Sequence, residues 1–123
     1  MLLKACEEMR NINSLKKNGQ FQAVYAGKCS YANRYLIMYV LPNGQEETRI
    51  GISVSKRVGN SIVRHRITRL IRESYRLNKA RLKQGLDIVV VARPLAKEQG
   101  FSEIESAFLH LGRMHRIFFK ESK

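Results

Sequence analysis

Residues 87–92 read Asp-Ile-Val-Val-Val-Ala, an almost unbroken apolar run, whereas in residues 48–55 Ile50, Ile52 and Val54 alternate with Gly51, Ser53 and Ser55. The first pattern predicts a strand buried on both faces, and the second a strand with one packed face and one open face of small residues. Residues 35–41, Tyr-Leu-Ile-Met-Tyr-Val-Leu, form a third strand by β-propensity, and Pro42-Asn43-Gly44 turns the chain back toward 48–55, which predicts that these two strands pair antiparallel. After Val58-Gly59-Asn60 the period changes. Val63, Ile67, Leu70, Ile71, Ser74 and Leu77 fall on one side of a helix turned by ~100° per residue, and His65, Arg69, Arg72 and Arg76 on the other. Gly85 stops that segment, and Arg93-Pro94 ends the apolar strand. Ser102 and Glu105, three apart, predict a capping box for a last helix with Ile104, Phe108, Leu111 and Met114 as its buried stripe. Toward the N-terminus, Asn18 caps a short predicted helix carrying Phe21, Val24 and Tyr25 and closing at Gly27, while residues 32–34 read equally as turn or strand. The order is that of an α+β sandwich, one sheet covered by helices with a strand–helix–strand crossover. Without repeats or linkers, the expectation is one domain over residues 14–120 after a flexible lead-in over residues 1–13.

Charge sharpens this picture. The 123 residues hold 23 Lys and Arg against 10 Asp and Glu, a net +13 that a small fold carries where a polyanion relieves the self-repulsion. Residues 53–76 concentrate it: Lys56, Arg57, Arg64, Arg66, Arg69, Arg72 and Arg76 stand against the single acid Glu73. Nucleic acid is the partner this implies. An anionic membrane competes, but no apolar run approaches the ~18 residues of a span, so no membrane association is expected. Cys6 and Cys29 sit in no Cys-x-x-Cys pair, and Glu7 and Glu8 interrupt any secretory signal, which points to reduced thiols in the cytoplasm.

Intrinsic catalysis finds little support. Phosphodiester cleavage by a protein needs convergent carboxylates for a metal, or an activated nucleophile. Asp87 is the only aspartate, Glu46 and Glu47 fall in a turn region, and Glu103 and Glu105 open a helix. His110 and His115 are five apart, ~140° around a helix, which spoils a shared metal face. Binding is better supported, because the N-terminus of the basic helix presents free amides and positive dipole beside Asn60 and Arg64. A merely solvated helix face is the competing reading, weakened by the lack of interleaved acids. Phe21, Tyr25 and Tyr39 are open to two readings, plain core or base-stacking rings over a groove floored by Ser53 and Ser55.

The stretch Val54-Ser55-Lys56-Arg57-Val58-Gly59-Asn60-Ser61, followed by Arg64-His65-Arg66-Ile67-Thr68-Arg69-Leu70-Ile71-Arg72, resembles the signature of the bacterial ribonuclease P protein subunit. Residues 15–25, Ala32-Asn33-Arg34 and residues 87–93 are also similar to that family, so the resemblance spans about residues 15–118. Two positions depart from it: the family's Arg-Asn-Arg is Arg64-His65-Arg66 here, and a common lysine is Thr68. The resemblance implies an α-β-β-β-α-β-α sandwich, a four-stranded sheet with a left-handed βαβ crossover, against the usual right-handed rule. It implies that Lys56, Arg57, Asn60, Arg64, His65, Arg66, Arg69 and Arg72 contact the catalytic ribonuclease P RNA. It further implies that Phe21, Tyr25, Asn33, Arg34, Tyr39, Ser53 and Ser55 line a cleft for the single-stranded 5′ leader of precursor tRNA. Catalysis would then belong to the RNA and to Mg²⁺ held mainly by it, with no catalytic or metal-binding residue in the protein and no obligate protein partner. A ribosome-associated or general RNA chaperone shares the charge and stays open. A helix-turn-helix DNA reader fits less well, since the basic helix follows a strand.

Overall fold

The computed structural model describes residues 29–119. The helix expected over residues 18–27, with Phe21 and Tyr25, the lead-in over residues 1–13 and Cys6 lie outside the described residues. Within them the elements are β1 (Ser30–Ala32), β2 (Leu36–Pro42), β3 (Arg49–Ser53), the basic helix α1 (Ser61–Asn78), β4 (Leu86–Ala92) and the closing helix α2 (Phe101–His115), with short 3-10 turns at Lys79–Arg81 and Pro94–Glu98. They form an α+β fold around one mixed four-stranded sheet.

The strand order, β1-β2-β4-β3, corrects the expected pairing. β2 and β3 run in opposite directions but do not touch, because β4 lies between them, antiparallel to β2 and parallel to β3. The cause is the connection at residues 43–48, which wraps the entry of β4 instead of making a tight hairpin. The Asn43 amide donates to the Gly85 carbonyl at 2.8 Å, and its side-chain Nδ2 donates to the Glu47 carbonyl at 3.0 Å and to Asp87 Oδ1 at 2.9 Å. Gly85 has a φ of +81°, and a Cβ there would lie 2.9 Å from the Gln45 carbonyl oxygen, so the chain passes beneath this loop only as glycine. A central place explains β4's composition, with Ile88, Val89 and Val90 all fully buried.

Both helices cover one face of the sheet. Leu36, Met38 and Val40 of β2, Ile50 of β3 and Ile88 and Val90 of β4 meet Ile67, Ile71 and Tyr75 of α1 and Ile104, Phe108 and Leu111 of α2. Burial of each such large side chain contributes about 1.5–3 kcal/mol. Two residues expected in the buried stripes are exposed: Leu77 at 52% and Met114 at 39%. At the end of α1 the inward positions go instead to Tyr75 and Asn78, and Asn78 Nδ2 donates to Glu105 Oε2 of α2 at 3.0 Å. The closing helix also begins two residues earlier than its Ser-x-x-Glu pattern implies. Gly100 is its N-cap, with the Gly100 amide donating to Glu103 Oε1 at 3.2 Å.

Candidate nucleic-acid interface

The basic helix is aimed by the loop before it. Val58, buried to 1% exposure, pins residues 54–59 to the core, and its amide donates to the Ser55 carbonyl at 3.0 Å. Asn60 is the N-cap, its Oδ1 accepting from the Val63 amide at 3.0 Å, and its backbone carbonyl accepts from the Arg64 amide at 2.9 Å. Gly59 allows the tight entry, since a Cβ there would stand 2.8 Å from Val63 Cγ1. The first turn of α1 holds no acid, so no carboxylate of its own offsets its positive end.

Seen from this terminus, the expected RNA-binding residues divide. Lys56, Arg57, Asn60, His65, Arg69 and Arg72 are exposed, and no salt bridge occupies any of these cations among the described residues. Arg64, His65 and Arg72 line one groove of about 410 Å³ with Thr68 and Ser61, backed by Ile52 and Val54 from the end of β3. Arg64 is half-buried, its Nε donating to the Gly59 carbonyl at 3.2 Å, which leaves the outer guanidinium nitrogens toward the groove. Arg66 faces away. Its Nη1 donates to the Gln99 carbonyl at 2.9 Å and its Nη2 to the Lys97 carbonyl, tying α1 to the segment before α2. Arg76, further along, is paired with Glu73, whose carboxylate it holds below the ordinary range through their side-chain hydrogen bond. Thr68, Ile52 and Val54 had no place in the expected site; their signal was Thr68's i, i+4 spacing from Arg64 and Arg72.

Residues expected in the leader cleft fall in two places. Tyr39 and Ser53 point to the sheet face opposite the helices: Tyr39 pairs with Val89, which pairs with Gly51, and Ser53 pairs with Val91 beside Ile37. Gly51 therefore lies two strands from Tyr39, about 10 Å away, with the buried Val89 side chain between them. Ser55 is exposed beyond the end of β3, and its Oγ accepts from the Arg57 amide at 3.3 Å. Asn33 and Arg34 lie instead at the β1–β2 connection, toward α2. Asn33 Oδ1 accepts from the amides of Tyr35 at 3.2 Å and Leu36 at 3.0 Å, while its Nδ2 donates to the Ala107 carbonyl at 3.0 Å and meets His110 Nδ1 at 3.1 Å. Arg34 is exposed, with its guanidinium carbon 5.9 Å from the Tyr35 ring centre.

The acids are disposed differently. Asp87, the only aspartate, is fully buried, and both its oxygens are engaged by Arg49, from Nε to Oδ1 and from Nη2 to Oδ2, each at 2.8 Å. Asn43 adds a third bond to Oδ1. No group of three or more His, Cys, Asp or Glu side chains among the described residues converges in a way that could hold a metal ion. No helix among the described residues is long and apolar enough to cross a membrane.

A small α+β protein with one helix face of exposed cations that meet no acid among the described residues belongs to the class of polyanion binders. More narrowly, the chain belongs to the ribonuclease P protein family, whose model matches residues 9–115. It is 58% identical over 104 residues to a ribonuclease P protein component of Lachnoclostridium phytofermentans, covering 85% of this chain and 90% of the relative. It is 51% identical over 109 residues to that of Alkaliphilus metalliredigens, covering 89% and 98%. Among solved structures, an RNase P protein of Staphylococcus aureus is similar with a TM-score of 0.82 at 35% identity, covering 88% of this chain and 99% of that one. An RNase P protein of Thermotoga maritima in complex with 1-(4-fluorophenyl)-2-thiourea gives 0.70 at 29% identity, covering 75% and 90%.

Proposed function

We infer that this chain is the protein component of a ribonuclease P ribonucleoprotein, which removes the 5′ leader of precursor tRNA to create the mature 5′ end, with the RNA subunit performing the cleavage. The observation that carries this reading is the outer face of α1, where His65, Arg69 and Arg72 stand exposed and without an acidic partner among the described residues. Lys56, Arg57, Asn60 and Arg64 extend that face around the helix N-terminus, where phosphate oxygens meet both amide donors and guanidinium groups. Mg²⁺, held mainly by the RNA subunit, supplies the charge neutralisation and activated water that phosphodiester hydrolysis needs. The protein's part is to bind and position RNA, in the cytoplasm and without an obligate protein partner.

For the leader we assign the sheet face of Tyr39 and Ser53, with Phe21 and Tyr25 as further stacking candidates; aromatic rings beside a basic surface suit unpaired bases. Asn33 and Arg34 belong to this assignment as supports of the β1–β2 connection, Arg34 being free to reach a phosphate at its edge.

The test is reconstitution. Purified chain, a ribonuclease P RNA and precursor tRNA are mixed at low Mg²⁺, where cleavage at the mature 5′ end should require both macromolecules. Doubly substituted Arg69→Ala/Arg72→Ala protein should assemble more weakly, with the log–log salt dependence shallower by roughly 0.7–0.9 for each phosphate left without its cation. Cleavage by the nucleotide-free chain alone would overturn the reading, and equal binding to unrelated RNAs without leader dependence would favour a general RNA chaperone.

A further inference from the structure

At the far end of α1, three separate elements bring basic side chains together around the C-terminal segment. Residues 117–119 lie antiparallel to residues 81–83: Leu82 bridges Phe118, the Lys83 amide donates to the Ile117 carbonyl at 2.7 Å, and the Phe119 amide donates to the Arg81 carbonyl at 2.8 Å. The ladder is seated on α2 at Gly112, where a Cβ would stand 2.5 Å from Phe118 Cε2, and Arg81 covers the Phe118 ring at 5.2 Å. Two grooves flank it and share Lys83. One, of about 520 Å³, includes Lys79, Lys83 and Phe119 in its lining, with Glu47 as its one acid. The other, of about 590 Å³, is lined by Lys83, Arg113, Arg116 and Phe118. Lys79, Lys83, Arg113 and Arg116 are exposed with no salt bridge among the described residues, and Phe119 is 54% exposed.

Arg116 adds a second kind of observation. It ends α2 at the left-handed position, φ +58° and ψ +42°, with the Ile117 amide donating to the Gly112 carbonyl at 3.1 Å. Glycine or asparagine suits that position, whereas other L side chains adopt it rarely because their Cβ crowds the carbonyl oxygen. A guanidinium is nevertheless placed there, directed into a groove with two other cations.

We propose that this end of the molecule is a second RNA-binding surface, on which Lys79, Lys83, Arg113 and Arg116 grip phosphates of an unpaired segment of the catalytic RNA while Phe119 stacks on one of its bases. The inference rests on the ribonuclease P reading. A cation-lined groove with an exposed ring on a preformed ladder is the geometry that tracks a single strand. The catalytic RNA is favoured over the leader for two reasons. The patch lies at the other end of the 18-residue α1 from the Asn60 cap, about 27 Å away at 1.5 Å per residue, a span suited to a large folded RNA. The sheet face of Tyr39 is also closed toward this end by the fully buried Leu41, Arg49 and Asp87, so it does not run on into the patch.

Arg116→Gly separates binding from folding, because glycine accepts the left-handed conformation. The variant should keep its melting temperature while binding the catalytic RNA more weakly, with a salt dependence shallower by roughly 0.7–0.9 in log–log slope, and Phe119→Ala should weaken binding roughly fivefold or more. A photoreactive benzoylphenylalanine placed at Phe119 in the reconstituted holoenzyme should crosslink to the catalytic RNA with or without precursor tRNA, at nucleotides distinct from those reached from the same probe at Arg69. Unchanged affinity of Arg116→Gly, or a Phe119 probe that reaches only precursor tRNA, a second copy of this chain or nothing while the Arg69 probe succeeds, overturns the proposal alone. Failure of the Arg69 probe as well overturns the ribonuclease P reading beneath it.

Discussion

Arg49 and Arg72 carry the same guanidinium to opposite fates. Arg49 sits at the base of the sheet, fully buried and doubly bonded to Asp87, with Asn43 completing the cluster. Arg72 stands on the outer face of α1 with no acid to meet it among the described residues. A buried cation is tolerable only when paired and hydrogen-bonded, so the fold commits its only aspartate internally. An exposed cation loses little by standing alone, but a row of them repels itself and leaves an attraction for phosphate unsatisfied. The net +13 is set by count, 23 Lys and Arg against 10 Asp and Glu; where that excess is felt is set by position, because the only aspartate is turned inward.

The largest expected effect breaks the inner half of this comparison. Asp87→Ala takes the carboxylate away from the buried Arg49 guanidinium and should cost about 3–5 kcal/mol of unfolding free energy, measured by urea denaturation. Any protein that remains folded should bind RNA through α1 as before. Replacing both partners, Arg49→Met with Asp87→Leu, should recover much of that stability. A single variant as stable as the parent would show that the cluster is not the structural knot described.

A smaller effect sharpens the boundary between the two fates. Arg66 lies within the basic signature yet donates to the carbonyls of Gln99 and Lys97, so it is structurally engaged although its neighbours are free. Arg66→Ala should lower stability by about 1.5–3 kcal/mol, the range for hydrogen bonds involving a charged group. Arg69→Ala should stay within about 0.5 kcal/mol of the parent in stability and weaken RNA binding more. Thermal melts and salt-dependent binding, run on both variants, decide between them; a reversed order would return Arg66 to the interface.

What is legible in the sequence follows the distance over which each feature is specified. The faces of β3, β4 and α1 can be read because periods of two and 3.6 are local, and the α1 cations can be read because one helix presents them all. The pairing of β2 with β4 cannot, since alternation reports which face a residue occupies and says nothing about its neighbour; Gly85 and Asn43, 42 residues apart, decide that. Arg66 escapes a local reading for the same reason, its partners being 31 and 33 residues away. The Ser102 cap reads two residues late because Ser-x-x-Glu matches one frame while Glu103 already serves Gly100. The basic end around Arg116 draws on three elements, none of which is conspicuous alone.

The smallest effect concerns a group on neither side of the comparison. His115 lies half-buried at the end of α2, its Nε2 donating to the Met38 carbonyl at 2.8 Å and its ring edge-on to Tyr31 at 4.8 Å. A carbonyl only accepts, so the other ring nitrogen is the one left to take up a proton. Burial pushes the His115 pKa below its ordinary 6.5, outweighing the carbonyl bond that favours the cation. Below pH 6.5 the unfolded chain therefore binds the proton more readily than the folded one. This contribution to stability is intact above 6.5 and is lost progressively as the pH falls through the folded value. Glu73, whose carboxyl Arg76 holds below 4.5, titrates in a lower window. Melting temperatures taken at pH 8, 7, 6 and 5 should be level at first and then decline, and His115→Gln, which keeps a donor for the Met38 carbonyl, should flatten that decline. A parent-like slope in the variant would move the dependence elsewhere in the molecule and leave His115 as a structural tie between α2 and the β1–β2 edge.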